Sequence, residues 1–159
     1  MIDAILIGAG ATGFLDFWSA ARARFFGTAT PDYALVGRWL THLARGRLVH
    51  DAIAKSAPVK GERLIGWAAH YLIGIAFAAA LLIGWGPEWA REPTLIPALI
   101  VGIGSVAAPF LLMQPGMGLG IAAHRSPNPA AARLRSVTTH AIFGLGLYAA
   151  GCATRFFAF

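Results

Sequence analysis

The sequence predicts an all-α integral membrane protein: a four-helix bundle of two tandem, similar helical hairpins, with one short amphipathic cytoplasmic helix. Three observations support this prediction: the composition, four long apolar segments, and an internal duplication. Hydrophobic residues make up 57% of the chain and charged residues 13%. A soluble domain is about half apolar and about a quarter charged, so this chain has too little charge to cover a water-facing surface.

Each of the four apolar segments is near the roughly 20 residues that a helix needs to cross a bilayer core. They span about residues 2–26, 64–85, 94–122 and 134–154. Backbone groups in lipid must bond to one another, so each segment is expected to be helical. In the third segment, Pro109 and Pro115 lack a backbone N–H, which predicts a kink or local unwinding. We predict that residues 1–159 form a single membrane domain.

The amphipathic helix is predicted within "DYALVGRWLTHLARG", about residues 32–46. Asp32 can cap its start and Gly46 can end it. Its apolar side chains recur at helical spacing: Leu35, Trp39, Leu40 and Leu43. Two placements fit this pattern. The helix either lies along the inner leaflet with its apolar side down or packs beneath the bundle.

Basic residues are concentrated in two of the connections between the apolar segments. The first connection carries Arg22, Arg24, Arg38, Arg45, Arg47, Lys55, Lys60 and Arg63, and the other carries Arg125, Arg133 and Arg135. The intervening "GPEWAREP" has one arginine against two glutamates. The positive-inside rule therefore places both basic loops in the cytoplasm and both termini outside. Bases beside apolar segments are suited to anionic lipid headgroups, so we expect no nucleic-acid binding.

The second and fourth segments resemble each other. "HYLIGIAFAAA" from His70 aligns without gaps with "HAIFGLGLYAA" from His140, which pairs Gly74 with Gly144. The match predicts that the second helix of each hairpin is a copy of the same unit.

The first and third segments match more loosely. "AILIGAGA" lies over "ALIVGIGS", which pairs Gly8 with Gly102. A similar turn follows each of them, "TPDYA" from Thr30 and "SPNPA" from Ser126, and its residue types suit a helix start. Both copies run in the same direction, so the repeat axis is expected along the membrane normal, as in parallel-repeat transporters.

Each of the four segments places one polar side chain in the inner half of the membrane: Asp16, His70, Gln114 and His140. Ionisable groups in lipid are costly and usually face the bundle interior or a cavity. We therefore predict a polar centre, open to the cytoplasm, that binds or moves a small solute or protons. The alternatives are interhelical hydrogen bonding without further function, or pairing of Asp16 with Arg22 near the interface.

Other functions are less well supported by the residues. His70 and His140 could ligate haem, which remains an alternative, but "CxxCH" and an arginine set for the propionates are absent. No cofactor and no metal site are predicted, since zinc prefers three or four ligands. With no nucleophile triad or paired catalytic carboxylates, we predict a non-enzymatic protein. His42, His50 and His124 are expected to be solvated in loops.

A structural partner of a larger membrane complex is a further alternative function. Homo-oligomers are also expected, because four helices enclose little space and their small-residue faces suit close contact with other helices.

The stretch "PFLLMQPGMGLGIAAHRSPNPAAARLRSVTTHAIFGLGLYAAG" is similar to an uncharacterised bacterial family, domain of unknown function 2938. "GATGFLDFW", "YALVGRWL" and "GWAAHYLIGIAFA" resemble the earlier blocks of that family. The resemblance covers most of the chain. It implies a small, multi-pass protein of the bacterial inner membrane and no particular reaction.

Overall fold

A computed structural model describes residues 1–157, and every regular element in that part of the chain is helical. In chain order the α-helices are α1 (Ile2–Phe26), α2 (Tyr33–Ala44), α3 (Glu62–Trp85), α4 (Glu88–Arg91), α5 (Leu95–Gly104), α6 (Gln114–Gly116) and α7 (Pro129–Phe157). Short 3₁₀ turns cover Ile53–Lys55 and Ile121–Ala123, and a π-helical turn covers Pro109–Met113. The all-α prediction is therefore confirmed for the described residues.

Three helices of the described chain are long and apolar enough to cross a membrane: Ile2–Phe26, Glu62–Trp85 and Leu95–Gly116. The last of these runs from α5 through the π-helical turn to α6. The fourth predicted segment, 134–154, lies within α7, which is the least apolar of the long helices. Arginines near its start and the imidazole of His140 lower its hydropathy.

The third apolar segment is interrupted near Pro109. The α-helix ends at Gly104, and the π-helical turn begins at Pro109, which cannot donate a hydrogen bond to a carbonyl one turn earlier. The helix ends at Gly116 rather than continuing to residue 122. Gly118 and Gly120 have positive φ values of 99° and 73°, a conformation that glycine adopts without steric cost and that ends the helix.

One compact unit, called unit 1, comprises residues 1–30, residues 71–105 and the described residues from Thr138 to 157. Its core is apolar, and Ile7, Leu81 and Leu147 are fully buried there. Helix pairs in unit 1 approach closely at glycines. A Cβ added to Gly8 would overlap the backbone of α3, and one added to Gly102 would overlap the backbone of α7. Small residues at these positions therefore set the interhelical distance.

The other compact unit, called unit 2, comprises residues 31–70 and 106–137. It contains α2, whose start is capped by Asp32, since the Asp32 carboxylate accepts from the Ala34 N–H at 3.0 Å. Gly46 follows the helix with φ +83°, as expected for a residue that ends it. Gly37 of α2 lies directly against the backbone of Glu62 in α3. Helix α2 therefore packs against the start of α3 within unit 2.

Arg38 ties the irregular part of unit 2 to its helices. Its guanidinium makes a two-point ion pair with Glu62, at 2.7 and 2.8 Å. The remaining nitrogen, Nη1, donates to the carbonyls of Ile53, Ala54 and Ser56. This one side chain therefore satisfies three carbonyls in and just after the 3₁₀ turn Ile53–Lys55.

Candidate polar site

Asp16 lies in α1, in unit 1, and is partly buried. The Tyr71 hydroxyl donates to Asp16 Oδ2 at 3.0 Å. Gly13, one turn earlier in α1, leaves room for that hydroxyl. The carboxylate thus has a neutral donor from α3 within the same unit.

His140 lies in α7, also in unit 1, and its Nδ1 is 2.6 Å from the Ser105 hydroxyl oxygen. The same hydroxyl is 2.5 Å from the carbonyl oxygen of Gly102. Since a carbonyl can only accept, the single hydroxyl proton goes to Gly102, and His140 Nδ1–H donates to Ser105. A neutral His140 ring is thereby fixed as the tautomer whose Nε2 is an acceptor.

His70 lies in unit 2, in α3, and its Nε2 is 2.9 Å from the Tyr33 hydroxyl. The two rings are also stacked, with centroids 4.2 Å apart. Trp67 completes an aromatic cluster, with its ring centroid 4.7 Å from that of Tyr33. The two histidines that the sequence alignment pairs therefore have different surroundings.

Gln114 lies in unit 2, immediately after the π-helical turn, and is only 6% exposed. Its Nε2 is 3.3 Å from the Ser136 hydroxyl, whereas its Oε1 is buried without a hydrogen-bond partner among the described residues. Exchanging the amide nitrogen and oxygen would only move the deficit to the nitrogen. Buried polar atoms are nearly always bonded, and π-turns are frequent at functional sites.

The four predicted residues are divided equally between the two units. Unit 1 contains Asp16 and His140, and unit 2 contains His70 and Gln114. The hydrogen bonds described above give each a different partner: Tyr71, Ser105, Tyr33 and Ser136, respectively. That all four serve one polar centre therefore remains a prediction.

The sequence did not predict the hydroxyl partners of the polar residues, although one of them, Ser105, could have been noticed. Ser105 is the only serine or threonine between residues 95 and 122, so its hydroxyl stands alone in a long apolar stretch. Tyr71 and Tyr33 gave no comparable signal, because tyrosine is common at the ends and faces of membrane helices.

The expectation that His42, His50 and His124 are solvated in loops is wrong for two of them. His50 is 2% exposed, and His42 lies within α2. Their rings contact each other, with His50 Nε2 3.2 Å from His42 Nδ1. Turns of the chain after α2 bring residue 50 back against this helix, which local sequence does not reveal. His124 is exposed, as expected.

The described residues contain no group of three or more His, Cys, Asp and Glu side chains that could hold a metal ion. Haem ligation by His70 through Nε2 would require its contact with the Tyr33 hydroxyl to break. The geometry around these histidines is therefore that of hydrogen-bonded polar groups.

Comparison with known proteins gives one match. A family model described as a protein of unknown function (DUF2938) matches residues 5–154. No curated protein and no solved structure matches the chain.

Proposed function

Because the chain belongs to the family of proteins of unknown function DUF2938, whose description names no activity, we propose its function from its own side chains. We propose a multi-pass protein of the bacterial inner membrane that binds or moves a small polar solute or protons. Asp16, His70, His140 and Gln114 form its polar centre, and it is not an enzyme. Both termini are periplasmic, and the basic loops contact anionic headgroups on the cytoplasmic side.

Exposed apolar side chains on the long helices support the membrane location. Leu72 and Ile83 of α3 are 64% and 85% exposed, and Ile96 of α5 is 72% exposed. Monomeric soluble proteins rarely expose large contiguous apolar patches. We propose that these faces contact lipid and that α7 is a fourth spanning helix, which completes a single four-helix domain. Its small-residue faces also suit a homo-oligomer.

Equivalent glycine contacts support the proposal of two tandem hairpins. The alignment pairs Gly8 with Gly102 and Gly74 with Gly144. In unit 1, an added Cβ at Gly8 meets α3 at Gly74, and one at Gly102 meets α7 at Gly144. The two aligned turns also both cap a helix, through Asp32 for α2 and Asn128 for α7. A shared ancestor of the two hairpins accounts for both coincidences.

The single observation that carries the function is the unmatched Oε1 of Gln114. A buried amide oxygen without a donor costs about 1–3 kcal/mol, so a packing role alone would favour an apolar residue here. A solute with an N–H or O–H group, or a protonated water, supplies the missing donor. The π-helical turn before Gln114 is in keeping with a site rather than a plain packing surface.

Proton movement can be tested in liposomes that contain the purified protein and a trapped pH-sensitive dye. A potassium gradient with valinomycin drives the protons. We expect Gln114→Leu to slow the change in internal pH at least about fivefold, the effect of losing one hydrogen bond. Leu112→Ala, in the π-helical turn just before Gln114 but 67% exposed, is the matched control and should leave the rate unchanged.

Two results would contradict the proposal. One is equal flux in Gln114→Leu and wild type together with a higher melting temperature of the variant, which would make Gln114 a packing residue. The other is an absorption band in the visible spectrum of the purified protein, which would favour the haem alternative.

A further inference from the structure

Two histidines outside the predicted polar centre form a chain of hydrogen bonds through unit 2. His50 is 2% exposed, and its Nδ1 lies 3.2 Å from the carbonyl oxygen of Gly116, the last residue of α6. His50 Nε2 is 3.2 Å from His42 Nδ1, and His42 Nε2 is 3.3 Å from the carbonyl oxygen of Ala57. All four ring nitrogens are thus within bonding distance of a polar atom.

The number of protons on the two rings decides whether all three of these hydrogen bonds can form. Both ends are carbonyl oxygens, which only accept, so His50 Nδ1 and His42 Nε2 must each carry a proton. The contact between the two rings needs a third proton. Two neutral imidazoles carry only two. With a neutral pair, one of the three contacts therefore becomes two facing acceptors.

A fourth proton would be equally unfavourable. It would place an N–H against an N–H between the rings, and two positive charges in rings whose centroids are 5.0 Å apart. The three bonds are complete only when the pair carries one net positive charge.

Six of the eight charged side chains around the pair are basic, so only the two acidic ones favour a positive charge on it. The charged side chains on the packed elements are Arg38 on α2, Arg45, Arg47, Asp51, Lys55 and Lys60 on the connecting segment, and Glu62 and Arg63 at the start of α3. Among them, Glu62 interacts electrostatically with His42. The same carboxylate is paired with Arg38, which partly offsets its attraction for a positive charge on the histidine pair.

We infer that His42 and His50 form a proton-binding pair, which takes up one proton beyond the two that neutral rings carry. This proton completes the connection between α2, the segment from His50 to Ala57, and the end of α6. The backbone N–H of His50 also donates to Gly116, at 2.9 Å, so the ring and backbone of His50 hold α6 at one carbonyl. Unit 2 is therefore tightest when the pair is protonated, and loosens when the proton leaves.

The experiment is a pH titration of the full-length protein in nanodiscs, with ¹⁵N-labelled histidine and the ring nitrogens observed by NMR. We expect the His42 and His50 signals to change together, with the uptake of one proton for the pair. His124, exposed and on another segment, is the internal reference, and its signals should not follow those of the pair. Separate protonation of both rings, or no response from either, would overturn the inference.

Hydrogen exchange of the His50 amide gives a second readout. When the pair loses its proton, protection of this amide should fall roughly two- to tenfold beyond the intrinsic pH effect, as expected for one lost hydrogen bond. His42→Asn places a permanent N–H donor opposite His50 Nε2. In that variant the His50 ring should stay neutral and the protection should not depend on pH. If the variant does not fold, the wild-type titration still decides.

Discussion

Gly102 of α5 and Gly144 of α7 lie in direct backbone contact, so that a Cβ added to Gly102 would overlap the Gly144 Cα. The Gly144 atoms that the added Cβ would meet cannot move aside easily, because they belong to the backbone of α7. The contact therefore requires glycine for its size. It also brings the carbonyl of His140 close to the same crossing, so the position of the α7 histidine depends on this glycine pair.

Replacing Gly102 with alanine should lower the free energy of unfolding by about 1–3 kcal/mol, because the added methyl group overpacks the crossing. Unfolding by SDS in mixed micelles, followed by tryptophan fluorescence, measures the change. Gly104→Ala is the matched control, two residues along the same helix with nothing within 4 Å of its added Cβ. It should be stabilising by about 0.5–1 kcal/mol, as expected for removing glycine from a helix.

The aligned position in the first hairpin should respond in the same way. Gly8→Ala would press a methyl group against Ile75 and Gly74, so a loss of about 1–3 kcal/mol is expected in the same assay. Gly84→Ala, in the open part of α3, serves as the control. Comparable losses at Gly8 and Gly102 would agree with a duplicated hairpin. A neutral Gly8→Ala would argue against equivalent crossings.

Sequence reasoning located these glycines but not the partners of the polar residues. Glycine recurs at matched places in two similar segments, so the alignment marks both positions. By contrast, the contact of Asp16 with Tyr71 depends on how two helices are rotated about their axes. Apolar membrane segments carry little periodic signal to fix that rotation, since lipid and protein interior are similarly apolar.

The error at His50 has a related cause. A histidine in a polar connection is expected to be solvated. Only the fold shows that residues 48–57 return to pack against α2 and the end of α6. Helix starts were easier to predict, because a cap is a local interaction. The Asp32 carboxylate accepts from the N–H of Ala34, which is only two residues later.

Ser105→Ala tests the link between α5 and His140. The variant removes the acceptor of the His140 Nδ1–H and the donor to Gly102. We expect a loss of about 0.5–2 kcal/mol, the range for interhelical hydrogen bonds in membrane proteins. The His140 ring should also lose its single tautomer, which ¹⁵N NMR would detect as mixed ring-nitrogen shifts. An unchanged spectrum would mean that another group orients the ring.

Arg38→Lys should reduce the stability of unit 2 although the charge is kept. Lysine cannot reproduce a two-point contact with Glu62 while also reaching three carbonyls. The hydrogen bond to Glu62 raises the pKa of Arg38, in opposition to burial. The contribution of the charged guanidinium to stability is therefore complete below the usual arginine pKa and is lost as the pH rises through the raised value.

The measurements for this variant are the melting temperature and limited proteolysis of the 48–60 segment, both at neutral pH. Arg38→Lys should melt lower and be cut faster than wild type. Arg45→Lys, an exposed residue just after α2, is the control and should behave like wild type. Equal proteolysis of Arg38→Lys and the control would show that the carbonyl contacts do not hold the segment in place.

Asn128→Ala tests the second of the two aligned turns. The Asn128 side-chain oxygen accepts from the Ala131 N–H at 3.0 Å, at the start of α7. Its loss leaves the first turn of the helix with one more unbonded N–H and should cost about 1 kcal/mol. Asp32→Ala should cost a similar amount at the start of α2, where the same interaction occurs at 3.0 Å.

Asn128→Asp is the rescuing variant, because aspartate caps as well as asparagine and its charge suits the positive end of the helix. Hydrogen exchange of the first α7 amides measures both effects, and protection that is unaffected by Asn128→Ala would show that the following proline alone sets the helix start.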